Sequence, residues 1–183
     1  MRAAPERLLA GGVRLVAAFE HAGAAQVLVH HLKYRGITGY CDVVADRVQA
    51  LVPRVPLVPV PRAMTRRLKY GVDPARELAA TLSRRLDVPM LEILAAPIHS
   101  RRRAGRDHSR PVRPFRARSP LRFPVVLVDD VVTTGATVLA AAESLGIDTV
   151  RSVVAANVVP DVSNVTAVVT SPEPGLDEVW QPF

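Results

Sequence analysis

"VVLVDDVVTTGAT", residues 125–137, runs four aliphatics into two adjacent acids and then into a Thr-Thr-Gly-x-Thr turn. Four such side chains in a row suit a strand buried on both faces of a parallel sheet. The strand is expected over 123–128, with Asp129 and Asp130 at its carboxyl end, where ligands bind in open α/β sheets. Two ionised carboxylates there repel each other, and no cation stands beside them in sequence. A polyol such as ribose compensates both, because each acid accepts a hydrogen bond from a hydroxyl. A Mg²⁺ ion, held directly or through water, would do the same.

The following residues suit an anion. Gly135 permits the positive φ that a strand-to-helix turn needs. The turn's amides and the open N-terminus of a helix expected over 135–146 form a phosphate site. Thr133, Thr134 and Thr137 add hydroxyl donors. One loop thus combines a phosphate cradle with a diol clamp, the outline of a 5-phosphoribosyl group. The bland alternative, a capped helix with two solvated acids, leaves the aliphatic run and the paired acids unexplained.

Outward from this stretch, strands and helices alternate. Residues 5–32 read as mostly helical, interrupted at Gly11-Gly12, and "LKYRG" (32–36) closes them on a basic turn and a glycine. A helix fits 42–52, completing an N-terminal helical segment over 1–52. "VPLVPVP" (55–61) is a short strand that should end by Pro59. Asp73 and Pro74 open a helix over 73–86, which ends on Arg84 and Arg85. "MLEIL" (90–94) is a candidate strand. Residues 97–122 hold nine arginines, four prolines and one acid, and 97–118 read as a mobile basic loop with room for hairpin arms near "PFRAR". Strands are expected at 149–159 and 165–170, followed by a tail over 171–183. The pattern predicts one α/β domain over 1–183 with a core at 53–170, a mostly parallel sheet flanked by helices.

Composition sets the outer limits. The 183 residues are 49% hydrophobic and only 4% aromatic, which suits one sizeable core rich in Val, Ala and Leu. Lys and Arg outnumber Asp and Glu by 24 to 17, a net +7 that points to an anionic partner. A single cysteine, Cys41, excludes an intrachain disulfide and a cysteine metal site; it reads as a small buried hydrophobe. No apolar run approaches the roughly 18 residues of a membrane span, so a cytoplasmic protein is expected.

Residues 125–137 resemble the phosphoribosyl-diphosphate (PRPP) motif of type I phosphoribosyltransferases. "LKYRG" (32–36), "LVPVPRAMTRRLKYGVDPARELA" (57–79) and the arginine-rich 100–118 resemble, in order and spacing, the ComF (competence protein F-like) branch of that family. Together they cover most of 28–145. The chain lacks that family's cysteine zinc knuckle, has "GRDHSRPVRPF" where glutamine and asparagine are usual, and has Asp73 where asparagine is expected. The resemblance implies a type I fold with a small hood, with Asp129 and Asp130 as ribose clamp and catalytic acids. Val131, Val132, Thr133, Thr134, Gly135, Ala136 and Thr137 would hold the 5-phosphate. Val60, Pro61, Arg62 and Ala63 would hold pyrophosphate, although Pro61 has no N–H to offer. Arg101, Arg102, Arg103, Arg106 and Arg110 would close over the leaving group.

Further candidates carry two readings each. Lys33 and Tyr34 either line an acceptor-base pocket or pack the N-terminal helix on the sheet. His30, His31 and His108 are acid–base candidates or surface histidines. Arg66, Arg67 and Lys69 are weaker phosphate contacts or plain surface. Trp180 stacks on a base or covers the core edge. The implied reaction is displacement of pyrophosphate from PRPP by a nitrogen nucleophile, with Mg²⁺ on the leaving group. Relatives acting on 6-oxopurines place an acid where Thr133 stands, which argues against that acceptor. The rivals are a non-catalytic PRPP or nucleotide sensor and an accessory factor in DNA uptake. The arginines crowd one loop with few aromatics, so nucleic acid is possible but not favoured. A homodimer is possible.

Overall fold

The computed structural model describes residues 1–62, 68, 70–95, 115–117, 121–159 and 165–167. The chain opens on a hairpin, not a helix: β1 (Arg7–Leu9) pairs antiparallel with β2 (Arg14–Glu20). Gly11 and Gly12 make the turn at φ 83° and 78°, values that side-chain-bearing residues rarely adopt. This corrects the helical reading of residues 5–20. Leu15, Val16, Ala17, Ala18 and Phe19 are all buried, so β2 shows no period of two. Its Leu and Ala are good helix formers that sheet pairing has overruled.

Helix α1 (Gly23–Arg35) ends, as "LKYRG" predicts, on Gly36 at φ 65°. Helix α2 (Gly39–Val48) and the 3-10 turn Gln49–Leu51 follow, starting earlier than the expected Asp42. β3 (Leu57–Pro59) stops at the predicted proline. Helix α3 (Pro74–Leu86) has Asp73 as N-cap, although the Asp73 side chain makes no capping bond. The candidate strand at 90–94 is reduced to a single bridge between Met90 and Leu57. β4 (Leu94–Ala95) instead pairs antiparallel with β5 (Arg116–Ala117). These two are arms that bracket the arginine-rich segment, whose own residues 96–114 lie outside the described ones. β6 (Val125–Val132), α4 (Ala136–Leu145), β7 (Val150–Val158) and β8 (Val165–Ala167) complete the chain.

The main sheet has the order β3-β6-β7-β2-β1-β8. Its β3, β6, β7 and β2 are mutually parallel, and β1 pairs antiparallel with β2 and β8. Helices α1, α2 and α3 cover one face, where Val126, Val128, Val154 and Ala156 meet Leu32, Val44, Leu78 and Leu82. Helix α4 covers the other, where Val125, Leu127, Val153 and Ala155 meet Val138, Ala141 and Leu145. Burial of β6 on both faces explains its unbroken aliphatic run. The chain is thus α/β with a mostly parallel mixed sheet flanked by helices. Cys41 is buried, as expected of a small hydrophobe. Among the described residues, no helix is long and apolar enough to cross a membrane.

Candidate functional site

Asp129 and Asp130 lie inside β6 and not beyond it. The ladder to β7 continues through Asp129↔Ala155, Val131↔Asn157 and Val132↔Val158. This corrects the expected end of the strand at 128: two acids do not break a central strand whose neighbours still pair. Across the acids the face alternation slips by one. Even-numbered Val126 and Val128 face α1–α3, yet so does Val131, while Val132 joins the α4 side. Asp129 Oδ1 accepts the Asp130 N–H at 2.7 Å, a local bond at the slip.

The cation that sequence does not show beside the acids comes from α1. Lys33 Nζ lies 3.0 Å from Asp130 Oδ2, and both side chains are largely shielded, at 23% and 16% exposure. The pair joins the end of α1 to β6. Among the described residues, Asp129 has no such ion pair. Its carboxyl is pushed up to about 7, first by burial and next by the Asp130 charge, with the Asp130 N–H and Lys33 opposing and Asp73 adding to the rise. A hydroxyl or a cation supplied to this carboxylate would favour its charged form.

The loop after the acids has the predicted turn. Gly135 is the N-cap of α4 at φ 76° and ψ −13°. A methyl group there would meet Leu9 Cδ2 at 2.9 Å, so glycine is required twice, by backbone conformation and by close approach. The Ala136 N–H donates to Thr134 Oγ1 at 3.4 Å. Thr133 and Thr137 are exposed at the rim, Thr134 and Ala136 are half-buried, and Val132 is buried.

The 60–62 segment leaves the sheet beside the acid pair, because the Val60 N–H donates to Val128 O at 2.8 Å, next to Asp129. Arg62 is half-buried. Its amide donates to Asp73 Oδ2 at 3.2 Å, and its guanidinium donates to Lys33 O at 3.1 Å and Val72 O at 3.4 Å. The same guanidinium lies over the rings of Tyr34 and Tyr70, 5.5 Å and 5.1 Å from their centroids. Arg62 therefore ties the end of α1 to the approach to α3. Tyr34 packs against Tyr70 and His30, with centroids 4.8 Å and 4.5 Å apart. Beside this segment a shallow recess is lined by Pro59, Pro61, Asp73, Arg76, Glu92 and Leu94.

Ala63, Arg66, Arg67, Lys69, His108, Trp180 and the loop arginines Arg101, Arg102, Arg103, Arg106 and Arg110 lie outside the described residues. Sequence reasoning passed over His21 and Asn157. Asn157 is fully buried and bonded to Tyr40 and His21. A lone asparagine inside the aliphatic run "VVAANVV" was the available signal, since a buried amide needs partners. Among the described residues, no group of three His, Cys, Asp or Glu could hold a metal ion. No protein-family model matches the chain, and no curated protein matches it.

Proposed function

We propose that this chain binds 5-phosphoribosyl diphosphate with Mg²⁺ and transfers the phosphoribosyl group to a nitrogen nucleophile, releasing pyrophosphate, on a type I phosphoribosyltransferase-like core. The observation that carries this reading is a juxtaposition at one sheet edge. An acid pair, a glycine turn opening a helix and the 60–62 segment all meet at the carboxyl ends of β3 and β6. Asp129 and Asp130 accept hydrogen bonds from the ribose hydroxyls, and the amides of residues 131–137 hold the 5-phosphate. In the displacement the bond from the anomeric carbon to pyrophosphate breaks, its electron pair leaves with pyrophosphate, and a carbon–nitrogen bond forms. The acid pair's negative charge stabilises the cationic character at the sugar carbon.

The residues present fit Mg²⁺ of this kind. Mg²⁺ keeps several waters and binds through one or two carboxylates plus phosphate oxygens, which the pair Asp129 and Asp130 can supply. When bound it neutralises the leaving pyrophosphate. One observation favours a second reading, a non-catalytic PRPP sensor. The Arg62 guanidinium is committed to Lys33 O, Val72 O and two tyrosine rings, which leaves the 60–62 segment less charge for a leaving group.

The test is pyrophosphate release from PRPP and Mg²⁺ across a panel of free bases and amines. Release with one acceptor class supports the enzyme. A rise in melting temperature with PRPP and Mg²⁺, without release, supports the sensor. The rise should vanish in Asp130→Asn and Thr134→Ala, and an unchanged melting curve at millimolar PRPP defeats both readings.

A further inference from the structure

On the α1–α3 face, a short polar chain runs through an otherwise aliphatic layer. The Tyr40 hydroxyl donates to Asn157 Oδ1 at 2.6 Å. Asn157 Nδ2 donates to Ala25 O at 2.9 Å, and it also lies 3.1 Å from His21 Nδ1. These contacts fix every proton. A backbone carbonyl only accepts, so the amide nitrogen must face Ala25. Tyr40 must then donate to Oδ1, and the second amide N–H is satisfied only if His21 Nδ1 carries a lone pair. A neutral imidazole in that state bears its proton on Nε2.

Protonating Nδ1 would set two donors against each other inside the protein. Burial and the nearby Lys33 charge also lower the His21 pKa, with Asp130 opposing. The residue is anchored as well, since its own N–H donates to Val158 O at 2.7 Å. The ladders pair Glu20 with Val158 and Val132 with Val158. His21 therefore follows β2 on the same edge, and at the same level, as Thr133 follows Val132. Its ring is partly exposed there.

We propose that His21 presents a fixed Nε2–H to the acceptor ring, selecting bases that offer a carbonyl oxygen or a ring-nitrogen lone pair at that point. His21 is a hydrogen-bond donor here and not a general base. This rests on the phosphoribosyl reading, in which a nucleotide is the product and its base lies beyond the ribose clamp.

The first measurement uses the unaltered chain. Ring ¹⁵N spectra at pH 8 should show His21 with Nε2 protonated and Nδ1 bare, and the ring should take up a second proton only below the ordinary histidine range. Asn157→Leu, which removes the amide N–H facing Nδ1, should allow a mixture of tautomers. An Nδ1–H tautomer in the unaltered chain overturns the proposal. The second measurement titrates ribose 5-phosphate and the adenosine, guanosine, cytidine and uridine 5′-monophosphates into the unaltered chain, His21→Leu and His21→Gln. Ribose 5-phosphate should bind all three alike. The best-bound nucleotide should weaken roughly tenfold in His21→Leu, about one hydrogen bond's share, and less in His21→Gln, which keeps an N–H. Equal nucleotide binding by His21→Leu, with ribose 5-phosphate still bound, overturns the His21 assignment alone. Failure of ribose 5-phosphate to bind the unaltered chain removes the phosphoribosyl reading and this proposal with it.

Discussion

The two faces of the sheet are built differently. Under α4 the layer is mostly hydrocarbon: Leu127, Val153, Val138 and Leu145 pack together, and the buried Arg7 donates to Val159 O at its border. Under α1–α3 the same strands meet Tyr40, Cys41 and Asn157, and the rim carries Lys33 against Asp130. Close packing of hydrocarbon needs no particular partner, whereas each buried polar group needs a specific one. The α4 side therefore supplies support and the turn at Gly135, while the α1–α3 side supplies the charges and donors with chemical choice.

Substitutions on the two sides should separate along that line. Leu127→Ala on the α4 side should have the largest effect, about 2–5 kcal/mol of lost stability in chemical denaturation. Any PRPP-dependent stabilisation should persist in it, and loss of that response would mean that the aliphatic side does more than support. Gly135→Ala places a side chain at φ 76° and against Leu9. It should cost about 1–3 kcal/mol and also remove the response to PRPP, joining scaffold and site in one position.

Asp129→Asn tests the polar side through pH. A carboxyl raised to about 7 binds its proton more tightly when folded than when unfolded. Between the unfolded value of about 4 and that folded value, stability of the unaltered chain should fall as pH rises. The asparagine variant carries no such penalty. It should match the unaltered chain near pH 4 and exceed it at pH 8, while losing PRPP binding. A difference that stays flat from pH 4 to 8 would remove burial as the cause. Arg85→Ala should show the smallest effect. Its ion pairs to Asp42 and Asp46 lie on the surface, on the outer side of α2 and α3, where such pairs contribute little. No measurable change in the denaturation midpoint is expected.

Much of the fold was legible wherever a local rule and the tertiary structure agree. Asp73-Pro74 marks the start of α3, Gly36 the end of α1 and Gly135 the turn into α4, each a backbone requirement written in one or two residues. Residues 5–20 were not legible. A strand buried on both faces loses its alternation, and Leu and Ala favour a helix until β7 is there to pair with. The acid pair and the turn after it could be read as a candidate site because they are contiguous. His21 and Asn157 could not be joined to it, nor could the pairing of Lys33 with Asp130 be foreseen, since their meeting depends on α1, β2 and β7 converging from distant parts of the chain. Arg62 was noticed for its charge, and its ring stacking arises from Tyr34 and Tyr70 on either side of it in sequence.

The hairpin formed by β1 and β2 lies against the residues on either side of α4. Leu9 occupies the space where a side chain at Gly135 would stand, and a methyl group at Gly11 would meet Ile147 Cδ1 at 2.8 Å. During synthesis the hairpin emerges well before the residues it gauges. Its strand β2 pairs with β7, which follows that helix in the chain, so the turn's final shape waits on a contact between opposite parts of the chain. Refolding from denaturant should therefore recover the turn late, together with the closure of this long-range contact.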